Sequence, residues 1–103
     1  MTLTERFEAL IPRLETERLI LRGFRPSDFE SYAEYSASER AKGTGGPAGR
    51  VDAWRSFGHM AGHWMLRGYG FFVLEEKASG QAIGTCGPYF PEGWPEREIG
   101  WTL

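Results

Sequence analysis

Apolar positions along this chain change spacing several times, and each change marks an expected element. Met1–Pro12 reads as a short leader with a turn of helix around Phe7, Leu10 and Ile11. From Thr16 to Phe24 the pattern alternates, with Leu19 and Leu21 on one side and Arg18, Ile20 and Arg22 on the other. A period of two sends successive side chains to opposite faces, so this stretch predicts a strand with one wholly apolar face. Arg25-Pro26-Ser27-Asp28-Phe29-Glu30 then opens a helix. Ser27 and Glu30 have capping-box spacing, in which each side chain satisfies a backbone donor that the first turn leaves free. Asp28 and Glu30 also suit the positive end of the helix dipole. Phe29, Tyr32, Ala33 and Ser36 share a face that carries the helix to about Ser38.

Ala41–Arg50 holds four glycines and a proline in ten residues, which predicts a mobile loop. Gly43-Thr44-Gly45-Gly46 is not read as a phosphate cradle. That would need a strand before it and Gly-Lys-Ser/Thr opening a helix after it. Val51–Arg67 is a second helix, with Val51, Trp54, Gly58, Ala61 and Met65 in one stripe that Phe57 and Trp64 broaden. Gly68 is its expected stop. Three strands follow: Tyr69–Glu76, then Gln81–Tyr89 after a turn at Lys77–Gly80, then Glu96–Leu103 after a turn at Pro91–Pro95. Gly84 and Gly87 are where the middle strand is expected to twist or bulge. The fold class is therefore α+β, in the order β-α-α-β-β-β, with the last three strands an antiparallel meander. One domain spans residues 1–103.

Composition narrows the function classes. A content of 41% hydrophobic and 15% aromatic residues argues for a packed core rather than disorder. The formal charge of −2 gives no electrostatic case for a nucleic-acid partner. The single cysteine, Cys86, excludes an internal disulfide and reads as a small buried side chain in a reducing compartment. Glu5, Arg6 and Glu8 interrupt any signal-peptide core, and no apolar run approaches the roughly 20 residues of a membrane span. No membrane partner is expected, and the cytoplasm is the default. His59 and His63 stand four apart and could in principle share a metal. With no acidic or thiol ligand nearby in sequence, packing or exposure is the expected role of both, and no metal is expected.

The residues Leu14-Glu15-Thr16-Glu17-Arg18-Leu19-Ile20-Leu21-Arg22 resemble the opening strand of the GNAT acetyltransferases, in their ribosomal-protein N-acetyltransferase (RimJ/RimL-like) branch. The similarity runs through Arg25–Asp28, Arg50–Trp54, Phe72-Val73-Leu74 and Gly80–Gly84. It ends in Glu98-Ile99-Gly100-Trp101-Thr102-Leu103, so that it covers about residues 12–103.

The resemblance implies a GNAT-type α/β sandwich with a mixed or antiparallel sheet, and transfer of an acetyl group from acetyl-CoA to a primary amine. It places the pantetheine arm of acetyl-CoA along the end of the fourth strand, here Trp101, Thr102 and Leu103. One backbone N–H there would polarise the thioester carbonyl. Glu98 is the implied base for the amine, its alternative being a surface or ion-paired glutamate. Gly43–Arg50, Trp54 and Tyr89–Trp94 would frame the acceptor pocket, or else serve as packing and connecting residues. The acceptor is a small-molecule amine or a protein N-terminus.

The chain stops at Leu103, before the Gly-rich loop that binds the pyrophosphate in this family. The expectation is therefore an N-terminal portion of a GNAT domain, inactive alone and without tight acetyl-CoA binding. A competing expectation is a non-catalytic module that forms a homodimer through the exposed last strand, whose edge is open to pairing.

Overall fold

A computed structural model describes all of residues 1–103. The leader forms a two-turn helix, α1 (Leu3–Leu10), closed by a capping box. The Thr2 hydroxyl accepts from the Glu5 N–H at 3.2 Å, and the Glu5 carboxylate accepts from the Thr2 N–H at 3.0 Å. Two short strands follow, β1 (Leu14–Glu15) and β2 (Leu19–Arg22), paired as a hairpin. The expected strand Thr16–Phe24 is thus shorter at both ends. Thr16 takes the turn instead, its hydroxyl accepting from the Leu19 N–H at 3.0 Å.

A 3-10 turn at Pro26–Asp28 leads into α2 (Phe29–Ser36), and a second one at Glu39–Thr44 occupies much of the expected mobile loop. Ala41 anchors that segment, being 2% exposed. Helix α3 (Arg50–Arg67) ends at Gly68, whose φ of 79° is the left-handed conformation that favours glycine. Strands β3 (Phe72–Glu76), β4 (Ala82–Tyr89) and β5 (Glu98–Thr102) complete an antiparallel sheet in the order β1-β2-β3-β4-β5. The α+β expectation and the terminal meander both hold. The irregularity in the β3–β4 pairing falls at Ile83, where Leu74 pairs with Gly84 and Glu75 with Ala82. Gly87 instead marks a close approach, since a Cβ there would lie 2.3 Å from the Gly70 carbonyl oxygen.

Helices α2 and α3 cover one face of the sheet. Phe24, Phe29, Ala53, Phe57, Met60, Phe71 and Val73 form the buried cluster between them. The face that α3 buries is Ala53, Phe57, Met60 and His63, not the expected stripe. Val51, Trp54 and Met65 are 66%, 59% and 77% exposed, so the helix is rotated away from that stripe. Ala53, at 1% exposure, is a small residue at the point of closest packing.

Arg22 also departs from expectation. It stands opposite Val73, on the helix-covered face, and is 3% exposed. A buried guanidinium needs its donors filled. Arg22 makes two bonds to the Asp28 carboxylate at 2.9 and 2.8 Å, one to Glu75 at 2.7 Å and one to the Gly23 carbonyl at 2.9 Å. Asp28 in turn accepts from the Arg25 N–H at 2.8 Å, so Asp28 rather than Glu30 ties the chain at the helix start. Glu30 pairs with Arg50 instead, and the Ser27–Glu30 capping box does not form.

Candidate active site at the edge of the last strand

Strand β5 pairs with β4 on one side only, in the register Tyr89↔Glu98, Gly87↔Gly100 and Thr85↔Thr102. These cross-strand pairs set the face of each side chain. The Thr85 and Thr102 hydroxyls bond at 2.8 Å, and a Cβ on Gly100 would lie 3.0 Å from the Phe71 ring. Glu98, Gly100 and Thr102 therefore share the helix-side face, where Gly100 and Thr102 are half-buried and Glu98 is exposed. Ile99 and Trp101 point the other way and are 74% and 66% exposed.

The helix-side face of β5 opens into a cleft of about 860 Å³, roofed by α2 and α3. Its lining brings together Glu98, Trp101, Thr102 and Leu103 with Tyr32, Tyr35, Phe71, Tyr89 and Trp94. A smaller notch of about 220 Å³ between α2 and β4 adjoins it, sharing Tyr32, Tyr35, Arg40 and Thr102. Gly43, Thr44, Tyr89 and Trp94 from the expected frame are in the lining. Trp54 is not; it sits edge-on to Phe29 with ring centroids 4.9 Å apart.

Stacking holds the inner wall rigid. Tyr89 lies flat on Phe71 at 4.5 Å and on His63 at 4.5 Å, with the Trp94 ring edge-on at 5.6 Å. His63 is fixed by two backbone groups. Its Nε2 accepts from the Phe90 N–H at 2.9 Å, which leaves Nδ1–H to donate to the Tyr69 carbonyl at 2.6 Å. Both ring nitrogens are committed, so His63 locks the end of β4 to the start of β3, and His59 stands exposed on the helix. Packing or exposure is the expected role of these histidines, but the sequence carries no signal for the backbone partners of His63, which lie 6 and 27 residues away.

The cleft lining carries one side-chain carboxylate, Glu98, and two basic side chains, Arg40 and His59. None of the chain's ion pairs includes Glu98. Arg97, its sequence neighbour, lies over the Tyr69 ring at 5.8 Å. Burial pushes the Tyr32 and Tyr89 phenols above their ordinary values, so both remain protonated donors at neutral pH. Cys86 pairs with Trp101 on the opposite face, and burial raises its thiol as well. It is a packed side chain rather than a nucleophile.

A helix-roofed antiparallel sheet with a cleft along one free strand edge defines the class of fold. The chain belongs to the GNAT acetyltransferases: residues 18–103 match the family model described as acetyltransferase (GNAT) domain. Among solved structures, an acetyltransferase from Agrobacterium tumefaciens is similar at 38% identity and a TM-score of 0.82, over 90% of this chain and 54% of that one. A protein from Bordetella pertussis assigned to the GnaT acetyltransferase family shares the fold at 22% identity and a TM-score of 0.73, over 89% of this chain and 58% of that one. The chain thus spans little more than half the length of either. No curated protein matches it. No helix is long and apolar enough to cross a membrane.

Proposed function

We propose that the chain carries the acceptor cleft and the acyl-presenting strand of an N-acetyltransferase, in the ribosomal-protein N-acetyltransferase branch, that moves acetyl from acetyl-CoA to a primary amine. The observation that supports this most is the unpaired Glu98 carboxylate in an aromatic cleft beside a free strand edge. That edge fits an extended arm bearing amides, because alternate residues of an edge strand turn both N–H and C=O away from the sheet. Trp101, Thr102 and Leu103 would hold the arm through these backbone groups. When bound, acetyl-CoA supplies an activated acyl carbon carried on a thiol leaving group.

The chain's own residues then have three tasks. An outward N–H of β5 stabilises the charge that develops on the carbonyl oxygen as the amine attacks. The cleft walls hold the amine against that carbon and exclude water. Glu98 handles the proton. At neutral pH an alkylammonium near pKa ~10.4 loses its first proton to water at a cost of about 5 kcal/mol. Glu98 would take the second proton, which the nitrogen holds only weakly once the N–C bond has formed and sheds as the C–S bond breaks. A proton donor would be needed for the departing thiolate, so that the proton count balances. The test is Glu98→Gln in a length of the protein that acetylates amines. Loss of the acidic limb of the pH–rate profile supports the assignment, and an unchanged profile removes Glu98 as the base.

A second reading has its own observation. Ile99, Trp101 and Leu103 are 74%, 66% and 55% exposed along an unpaired edge, a surface suited to pairing with a second copy. Sedimentation of the 103-residue chain separates the two readings, because a monomer at high concentration removes the homodimer.

A further inference from the structure

The cleft wall opposite β5 carries a cation that no carboxylate of the chain neutralises. The basic residues around it are paired: Lys42 meets Glu39 at 2.6 Å, Arg50 meets Glu30, and Arg55 meets Asp52 at 3.4 Å. Arg40 enters none of the ion pairs and lies over the Tyr35 ring at 5.6 Å. The backbone beneath it is anchored, because Ala41 is 2% exposed and the Tyr35 hydroxyl meets Thr44 at 2.7 Å. A guanidinium laid over a ring keeps its N–H edge free, and that edge matches a carboxylate at two points.

Arg40 and Thr102 line both the cleft and the notch, whereas Glu98 lines only the cleft. Along β5, Thr102 and Glu98 stand about 13 Å apart at the usual strand rise. Arg40 therefore belongs to the end of the cleft away from Glu98, where salt screens most of their attraction. Asp28 and Glu34 line the notch and not the cleft, and Asp28 is committed to Arg22 at 2.9 and 2.8 Å. The cleft side of Arg40 thus offers a free guanidinium with the hydroxyls of Tyr32 and Ser56 in the same lining.

We propose that this end of the cleft is a carboxylate subsite, in which Arg40 reads a single negative charge on the bound molecule through a two-point contact. Glu98 at the other end and Glu34 in the notch disfavour a more highly charged anion. The subsite deepens the acetyl-transfer reading, since it adds a charge requirement to the substrate and makes Arg40 a specificity-determining residue. Binding of the carboxylate itself needs no acetyl-CoA.

The test is titration of phenylacetate and of its neutral counterpart phenylacetamide into the 103-residue chain, followed by amide and guanidinium NMR shifts. Phenylacetate should bind about tenfold more tightly and move the Arg40 Nε–H signal. Arg40→Gln should abolish the gap, and Arg40→Lys should restore only part of it, because an ammonium keeps the charge and loses the fork. Arg97→Gln removes a cation outside the cleft lining and should leave the gap intact. Equal binding of the two probes, binding of neither, a gap that survives Arg40→Gln, or one that Arg97→Gln removes equally overturns the proposal. In a longer protein that acetylates amines, Arg40→Gln should raise KM about tenfold for carboxylate-bearing substrates and leave carboxylate-free ones unchanged. Carboxylate binding through Arg40 by a longer protein that acetylates nothing leaves the subsite standing and sinks the acetyl-transfer reading. Acetylation indifferent to Arg40 does the reverse.

Discussion

Tyr89 and Glu98 face each other across the β4–β5 ladder, so the ring held by His63 and Phe71 stands beside the carboxylate that no arginine or lysine neutralises. The pairing sets a stacked aromatic wall beside an unpaired carboxylate. In a length of the protein that turns over, Glu98→Gln should lower kcat/KM for amines by about 10²-fold or more, the usual contribution of a positioned base. Tyr89→Leu should raise KM with a smaller effect on kcat, because it removes wall contacts and leaves the proton path. Steady-state kinetics on the two variants check the split, and a Tyr89→Leu effect confined to kcat would contradict it.

His63 is predicted to matter through structure. His63→Ala strands the Phe90 N–H and the Tyr69 carbonyl, which are otherwise satisfied at 2.9 and 2.6 Å. Each buried orphan costs about 1–3 kcal/mol. Urea unfolding should show a loss of about 2–4 kcal/mol, and hydrogen exchange should show the Phe90 amide losing protection. Unchanged exchange at Phe90 would mean that the imidazole does not hold the β4 end.

The Arg22 network predicts an acid-sensitive fold. Hydrogen bonding from Arg22 and the charges of Arg22 and Arg25 hold the Glu75 carboxyl below its ordinary value of 4.5, outweighing partial burial. A carboxyl depressed in the folded state binds fewer protons there than in the unfolded chain. Its contribution is therefore fully present above about 4.5 and is lost as pH falls through the lower folded value. Chemical unfolding at stepped pH should show stability dropping in that acidic window, with a shallower drop in Glu75→Gln. Arg22→Met should cost about 3–5 kcal/mol at neutral pH, since it leaves Asp28 buried with no guanidinium.

Much of this architecture could be read in the sequence, and the failures share a cause. The two long helices, the three-strand meander and the Gly68 stop follow from periodicity and from glycine, which are local signals. The register of α3 does not. Apolar residues occur all round it, and the choice of Ala53–Phe57–Met60–His63 over Val51–Trp54–Met65 is made by what the sheet presents, with only a small residue fitting at Ala53. Arg22 misled for a related reason. Alternation assigned it to the polar side, yet that side faces the helices, and its two acids lie 6 and 53 residues away in sequence. The Gly-rich stretch ordered because Ala41 found a buried place and the Tyr35 hydroxyl meets Thr44 at 2.7 Å. At the cleft, Glu98 and the end of β5 were named only through the family resemblance, and the structure places them in its lining. Tyr32, Tyr35 and Phe71 were not, because only tertiary packing brings them there.

Glycines give the sharpest contrast within one chain. Gly58 sits inside α3 with open space around the position a Cβ would take, so Gly58→Ala should stabilise by about 0.5–1 kcal/mol through reduced unfolded-state entropy and better helix propensity. Gly84 is the opposite case. A Cβ there would lie 2.1 Å from the Thr102 carbonyl oxygen, a backbone atom that can move only if β5 does. Gly84→Ala should therefore push the end of β5 off β4, break the Thr85–Thr102 hydroxyl pair and open the cleft edge, while the core between the helices and β3 stays formed. Hydrogen exchange would register this as lost protection confined to β5, with a smaller change in the global unfolding midpoint. Uniform loss of protection across the sheet would show that β5 is integral to the cooperative core rather than a strand laid against it.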